Sequence, residues 1–509
     1  MSGAADSPYS ASRISKGIKH FLLGKGLTSI AGIGTLLFVV RALDIGEFAA
    51  YSILVGIVEL LSAITNIGTG QIFTRFIPEV YAQGYRLALR KLVVTLLALR
   101  YVVLIATILL IYAFVPTISG WIGLEQWVPA FKLYLLVVLL RTVTNTLFQV
   151  LEAMLHQGPA QASMASVTVS RFLLVSWAYA TGHLDLVTLI WIEIATDALG
   201  VALLVWTLNR ASGGRSPGGD IERETAWLRQ NRDRMVSFAV KGYLQHLIIM
   251  PFSGVVNRLV VGGHLPGAQM ALFGFAQSIY DLMQRYLPAQ LFVGLIRPVM
   301  AARYSKSAQF LEVQTLTNLI LKINLVLIGL VVIVVIAGGN DLLLFVTAGK
   351  YGQRAVDLLV LMSLLIALES WRHVLDLLSH TVERYGILVF TNAILGGSLL
   401  AGILLLPSIG VFALPAANCA GLLISNLVVV WWLGQSGFPF KHDLRMIFGA
   451  GFAVACAIAV TFALRPVVDH WVALVGAAVL AYIGTALAVL RPRQIERELW
   501  SRFVVAGRS

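Results

Sequence analysis

A helix needs about twenty predominantly apolar residues to cross a hydrocarbon layer ~30 Å thick, and this chain supplies such runs about fourteen times. They fall near 21–40, 48–72, 92–115, 128–151, 161–180, 186–208, 236–261, 268–296, 318–338, 355–379, 386–406, 409–434, 445–464 and 471–490. Of the 509 residues, 58% are hydrophobic and 12% charged, whereas a soluble domain carries about 25% charged residues. That much apolar surface exceeds what a protein core can hold, and lipid is the solvent that accepts it. The expected fold class is therefore an all-α polytopic membrane protein.

The formal net charge of +13 would point to nucleic acid in a soluble chain. Here its distribution carries more information, because Lys and Arg mark the cytoplasmic loops of membrane proteins. One set of connections holds Arg13, Lys16 and Lys19, then "YAQGYRLALRK", "NRASGGRSPGGDIERETAWLRQNRDR", "RPVMAARYSK", "FKHDLR" and the tail "RPRQIERELWSR". The other holds "RALDIGE", "VPTISGWIGLEQW", "TGHLD", "GGHLPG", "GGNDLLLFVTAGKYGQR", "PSIG" and "RPVVDH". Twenty-one cations lie in the first set against four in the second, which predicts that both termini are cytoplasmic. The polar first twenty residues and the absence of a small-residue cleavage site predict a retained first helix, not a signal peptide. Cys419 and Cys456 lie in separate apolar runs, and no structural disulfide is expected.

An internal repeat divides the chain. "GKGLTSIAGIGTLLFVVRALDIGEFAAYSILVGIVELL" (24–61) lies over "VKGYLQHLIIMPFSGVVNRLVVGGHLPGAQMALFGFAQSIYDLM" (240–283). Lys25-Gly26 matches Lys241-Gly242, Arg41 matches Arg258, Glu59 matches Asp281, and Arg75 with Pro78 matches Arg297 with Pro298. Both copies run in the same direction through the membrane, the arrangement of transporters whose halves are related by an axis along the membrane normal. The predicted organisation is an N-terminal lobe of about six helices (1–208), a basic cytoplasmic linker (209–234), a C-terminal lobe of about six helices (235–434), and two additional helices with a tail (435–509). Two pseudo-symmetric lobes of this kind would face a central cavity.

Ionisable residues at bilayer depth are rare and mark sites or buried pairs. Lys25 lies about one turn from its helix end and could snorkel to the headgroups; its counterpart Lys241 favours a cavity-facing role. Glu59 and Asp281 sit near mid-helix, as titrating carboxylates coupled to an ion gradient or as ion-pair partners; Asp281 has Arg285 one turn on. In "ALESWRHVLDLL", Glu369, Arg372, His373 and Asp376 share one helix face, as a packing network or a second polar site. Arg100, Arg141, Arg171, Glu193, Asp197 and Lys322 also fall in apolar runs, with no role legible from their spacing.

There is no phosphate-binding Gly-x-x-x-x-Gly-Lys-Ser/Thr loop, since "TAGKYG" has neither the spacing nor the hydroxyl residue. No Cys/His cluster suggests a metal, and no cofactor is expected. The outer loops are short, which argues against a membrane glycan ligase or polymerase with reactive groups on a large external loop. A transporter without covalent chemistry fits best.

"RALDIGEFAAYSILVGIVELLSAITNIGTGQIFTRFIPE" resembles the beginning of Wzx-type polysaccharide flippases, in the multidrug/oligosaccharidyl-lipid/polysaccharide exporter superfamily. "NRLVVGGHLPGAQMALFGFAQSI" resembles the family's seventh and eighth helices, and "LLLFVTAGKYGQRAVDLLVLMSLL" its outer loop before the tenth. The resemblance implies two lobes around a cavity open alternately to either side. The cargo would be an undecaprenyl-diphosphate-linked oligosaccharide, flipped across the bacterial inner membrane during exopolysaccharide, capsule or O-antigen synthesis. It further implies cavity cations at Lys25, Arg75, Lys241, Arg285 and Arg297, with membrane lipid and a polysaccharide polymerase or synthase complex as partners. One departure is Asn257-Arg258, where the family pattern has Asp-Arg. Other exporters of the superfamily, carrying a different lipid-linked precursor or drugs, are the alternative; a drug-cation exporter should show a more acidic cavity.

Overall fold

Helices fill most of the described part of every apolar run, with 48–72 and 236–261 each broken into two, in a computed structural model that describes residues 11–154, 156–212, 221–287, 310–382 and 386–490; the end of the run 268–296 lies outside these. Within these, the side chains of 11–25, 82, 211 and 212 lie outside the description. In chain order the helices are α1 (Ala11–Ala42), α2 (Ile45–Ile64), α3 (Thr69–Ala82), α4 (Arg86–Ile122), α5 (Val128–Ala153), α6 (Gln157–Ala180), α7 (Leu186–Ser212), α8 (Ile221–Gln230) and α9 (Arg232–Ile249). They continue as α10 (Gly254–His264), α11 (Gly267–Tyr286), α12 (Phe310–Val346), α13 (Gln353–Thr381), α14 (Gly386–Ile409), α15 (Ala413–Gln435), α16 (Leu444–Leu464) and α17 (Trp471–Val489). The fold is all-α, in two compact units.

Among the described residues, 9 segments are long and apolar enough to cross a membrane, or up to 10 if the pair α9–α10, bent by 43°, is one span. One of these segments, Gly386–Gln435, contains both α14 and α15. Two of the helices below that threshold, α6 and α11, are polar for a visible reason. On α6, Gln161 and Ser163 are buried. On α11, Gln277 is buried and donates to Asp281. These polar faces are turned into protein, where hydrogen bonds replace the missing water.

The first unit runs to Ile248 and takes in Arg258–Gly267 as well. Helices α9 and part of α10, expected to open the C-terminal lobe, therefore pack with the N-terminal helices. Here α1 lies on α6, and α5 packs on both α4 and α7. One core cluster joins Phe73, Phe76 and Ile77 of α3 to Leu92 of α4 and Met235 and Ala239 of α9.

Local chemistry sets the breaks. Asp44 and Glu47 form a reciprocal capping box that opens α2, and Glu47 also accepts the Leu186 N–H at 3.2 Å, tying down the start of α7. Between α2 and α3, the Asn66 carboxamide oxygen accepts from the Gly70 N–H at 2.7 Å, and Gly68 takes φ 81°. The stretch expected to be a basic linker contains α8. Its Glu224 is buried and accepts the Ala88 N–H at 2.9 Å, capping the first turn of α4, while Trp227 and Leu228 pack on the α3–α4 cluster.

The second unit comprises Ile249–Asn257 and Ala268–Ala506. Helix α12 packs on α13, α14 on α15, and the final pair α16–α17 on α12. That last contact is lined by Ala450, Ala453, Ala457, Ala478 and Ala486, small residues that let helices approach closely.

Candidate functional site

Helix α3 ends in "TRFIPE" and α9 begins with "RDRMVSFAVKG". Their packing through Phe76 and Ala239 brings cations from both onto one opening within the first unit. Arg75, Phe76, Arg234, Ser237, Phe238 and Lys241 line a cavity of about 270 Å³. Glu79 is its one carboxylate neighbour in the described ion pairs: it meets Arg75 at 3.5 Å and Arg234 at 3.2 Å. The Arg234 guanidinium lies 5.2 Å above the Phe76 ring, and Phe238 meets Phe76 edge to face. Lys241 makes no ion pair or hydrogen bond among the described residues. Three cations face one carboxylate, beside two phenyl rings. Such a surface attracts a multivalent anion carrying an apolar group, and repels a cation.

Of the five predicted cavity cations, the structure brings Arg75 and Lys241 together and adds Arg234, which sequence spacing did not single out. Arg285 is an exposed residue near the end of α11, in the second unit. Lys25 and Arg297 lie outside the described side chains.

Glu59 on α2 meets a buried arginine: Arg258 on α10 reaches its carboxylate at 3.3 Å, the guanidinium 3% and the carboxylate 44% exposed. The arginine of the departing Asn257-Arg258 pair thus draws its partner from a different helix. In the second unit Asp281 accepts from Gln277 at 2.9 Å, and Gln284 donates to Glu369 at 2.8 Å. Arg372 donates to Ser425 at 2.6 Å, and to Thr391 and Asn392 at 2.9 Å, and pairs with Asp376 at 2.9 Å. His373 is bonded through Nδ1 to the Glu369 carbonyl, 2.7 Å away. The stripe on α13 thus divides: Arg372, paired with Asp376 on its own helix, engages α14 and α15, and Glu369 engages α11.

The largest cluster of ion pairs among the described residues escaped the sequence reading. Arg141 of α5 and Arg171 of α6 grip Asp197 of α7 at 2.9 and 2.7 Å, and Arg141 reaches Glu193 at 3.2 Å. The Tyr51 hydroxyl of α2 donates to Glu193 at 3.0 Å. Two cations balance two anions, joining four helices of the first unit. The available signal was the i, i+4 spacing of Glu193 and Asp197, which puts both carboxylates on one face of α7.

No protein-family model and no curated protein matches the chain. Solved structures do match in fold. A structure titled lipid II flippase MurJ in its inward closed conformation superposes with a TM-score of 0.64 at 13% identity, covering 92% of this chain and 98% of its own. An inward-facing multidrug resistance MATE family transporter of the MOP superfamily gives 0.59 at 13% identity, over 80% of this chain and 94% of its own. The outward-facing conformation of such a transporter gives 0.50 at 11% identity, over 84% and 94%. At these identities the likeness establishes a shared fold, that of membrane transporters.

Proposed function

We propose that the chain is a flippase that carries an undecaprenyl-diphosphate-linked oligosaccharide repeat unit across the bacterial inner membrane, by alternating access, for exopolysaccharide, capsule or O-antigen synthesis. The observation that carries this reading is the convergence of Arg75, Arg234 and Lys241 on one cavity with only Glu79 opposing them. A diphosphate brings two or more negative charges, and a cation held ~4 Å away contributes about 4 kcal/mol at an effective dielectric of 20 before desolvation is subtracted. Phe76 and Phe238 offer an apolar wall to the lipid that a diphosphate headgroup carries. The fold shared with a lipid II flippase supports a lipid-linked cargo. The excess of cations disfavours a drug cation.

Lys25, Arg285 and Arg297 are proposed as further cargo contacts, and Glu59 and Asp281 as the carboxylates through which an ion gradient acts. Both termini are proposed to be cytoplasmic. The experiment is export of the polymer in cells, or flipping of a lipid diphosphate in proteoliposomes, by the Arg75→Ala/Lys241→Ala variant. Transport should fall at least tenfold with the protein inserted at normal abundance. Full transport by that variant would sink the proposal.

A further inference from the structure

Glu79 of α3 is shared between the two arginines of the cavity. Its Oε1 accepts from the Arg234 Nη1 at 3.2 Å and its Oε2 from the Arg234 Nη2 at 3.5 Å, so the carboxylate meets both terminal nitrogens of one guanidinium. The same Oε2 lies 3.5 Å from the Arg75 Nη1, one helical turn back. Arg75 and Arg234 line the cavity and Glu79 does not. The Glu79 side chain is 21% exposed, against 53% for Arg75 and 49% for Arg234. The carboxylate is thus the more buried member, and the guanidiniums are the more open to an arriving ligand.

A guanidinium offers the same planar fork of donors to a carboxylate and to a phosphate. Glu79 therefore engages donors that a phosphate group in the cavity would also use. A carrier has to release what it binds. Affinity gained through slower dissociation delays release by the same factor, and three cations with no opposing charge would hold a diphosphate too long. The same three cations, close together with no cargo between them, would repel one another.

We propose that Glu79 is a built-in competitor of the cargo: it holds Arg75 and Arg234 between transport cycles, yields them to the diphosphate, and so sets how readily the cavity lets go. This rests on the cargo reading above. A carboxylate that only held the arginines in place would have the opposite signature, because its removal would loosen the donors and weaken binding.

The test is calorimetric binding of farnesyl diphosphate to the purified full chain in detergent, with Arg75→Ala/Lys241→Ala as the blank for partition into micelles. Glu79→Gln, which keeps the shape and removes the charge, should bind at least threefold more tightly than the native chain, and the gain should shrink as salt is raised. In proteoliposomes the same variant should reach half-maximal flipping at a lower cargo concentration and have a lower maximal rate. Glu79→Asp keeps the charge but shortens its reach toward Arg234; it should bind with intermediate affinity, and it carries the test if the glutamine variant does not fold. Unchanged or weaker binding by these variants, while the native chain binds and the blank does not, would overturn the inference and leave the cargo reading standing. No binding by the native chain and the Glu79 variants alike would remove the cargo reading, and the competitor with it.

Discussion

Asp197 accepts from two guanidiniums at 2.7 and 2.9 Å while only 4% of its side chain is exposed, so each partner relies on it for charge balance. Replacing one member of a buried network leaves the others uncompensated, whereas replacing the group with apolar residues can be neutral. Asp197→Asn should therefore destabilise the protein by about 3 kcal/mol, read by chemical unfolding in detergent, and Arg171→Met combined with Asp197→Leu should recover much of the loss. A second residue reports pH. His442 lies in the connection before α16, packed edge-on against Trp371 and Phe440, and burial holds its imidazole below the ordinary value. The unfolded chain then binds the proton more readily than the folded one. His442 thus contributes stability above about pH 6.5 that is lost as the pH falls through the unfolded value. In His442→Phe the decline in stability between pH 7 and pH 5 should be shallower than in the native chain. At this scale the sequence was least legible. Arg141, Arg171, Glu193 and Asp197 could all be seen to fall in apolar runs, but their partners stand 22 to 56 positions apart on separate helices, and spacing carries no record of tertiary contact.

Helix α3 owes its direction to one backbone position. Gly68 opens it with φ 81°, and a methyl group there would lie 2.5 Å from the Ala239 carbonyl oxygen of α9. Gly68→Ala would meet both a left-handed backbone and a backbone neighbour that cannot turn aside. It should cost about 2 kcal/mol or more, and, because α9 carries Arg234 and Lys241, it should also weaken transport. Measuring stability and transport together separates the two effects: transport intact at normal abundance would show that α9 need not be held there. Helix α8 makes the complementary case. Glu224→Ala removes the carboxylate that accepts the Ala88 N–H, at a cost of about 1 to 2 kcal/mol. Apolar periodicity found the long helices and missed α8, because a ten-residue segment with four charges reads as a solvated linker. Its role rests on Glu224, Trp227 and Leu228, which become informative only once α3 and α4 lie beneath them.

For the molecule as a whole, composition and apolar runs predicted an all-helical membrane fold, and the described parts of those runs are mostly helix, two of them broken by a turn. The repeat matched Lys241 with Lys25 of the other half, yet in the folded chain Lys241 joins Arg75 within the first unit. The pairing that matters for the cavity is thus between elements far apart in sequence, α3 and α9. Orientation decides what this cavity can do. Glu79 and Arg75 lie in the last two turns of α3, just before the turn at Gly84, in the cation-rich stretch "YAQGYRLALRK". If Lys and Arg mark the cytoplasmic side, the cavity opens near that face, where the proposed lipid-linked cargo would be loaded. Gln83 and His183 are exposed in turns that the charge bias places on opposite sides. In intact spheroplasts, His183→Cys should react with a membrane-impermeant maleimide, and Gln83→Cys should react only after the membrane is permeabilised. The native Cys419 and Cys456 are replaced by alanine to clear the background. The reverse pattern would put Arg75, Arg234 and Lys241 on the outer side, where they could release a cargo but not collect one.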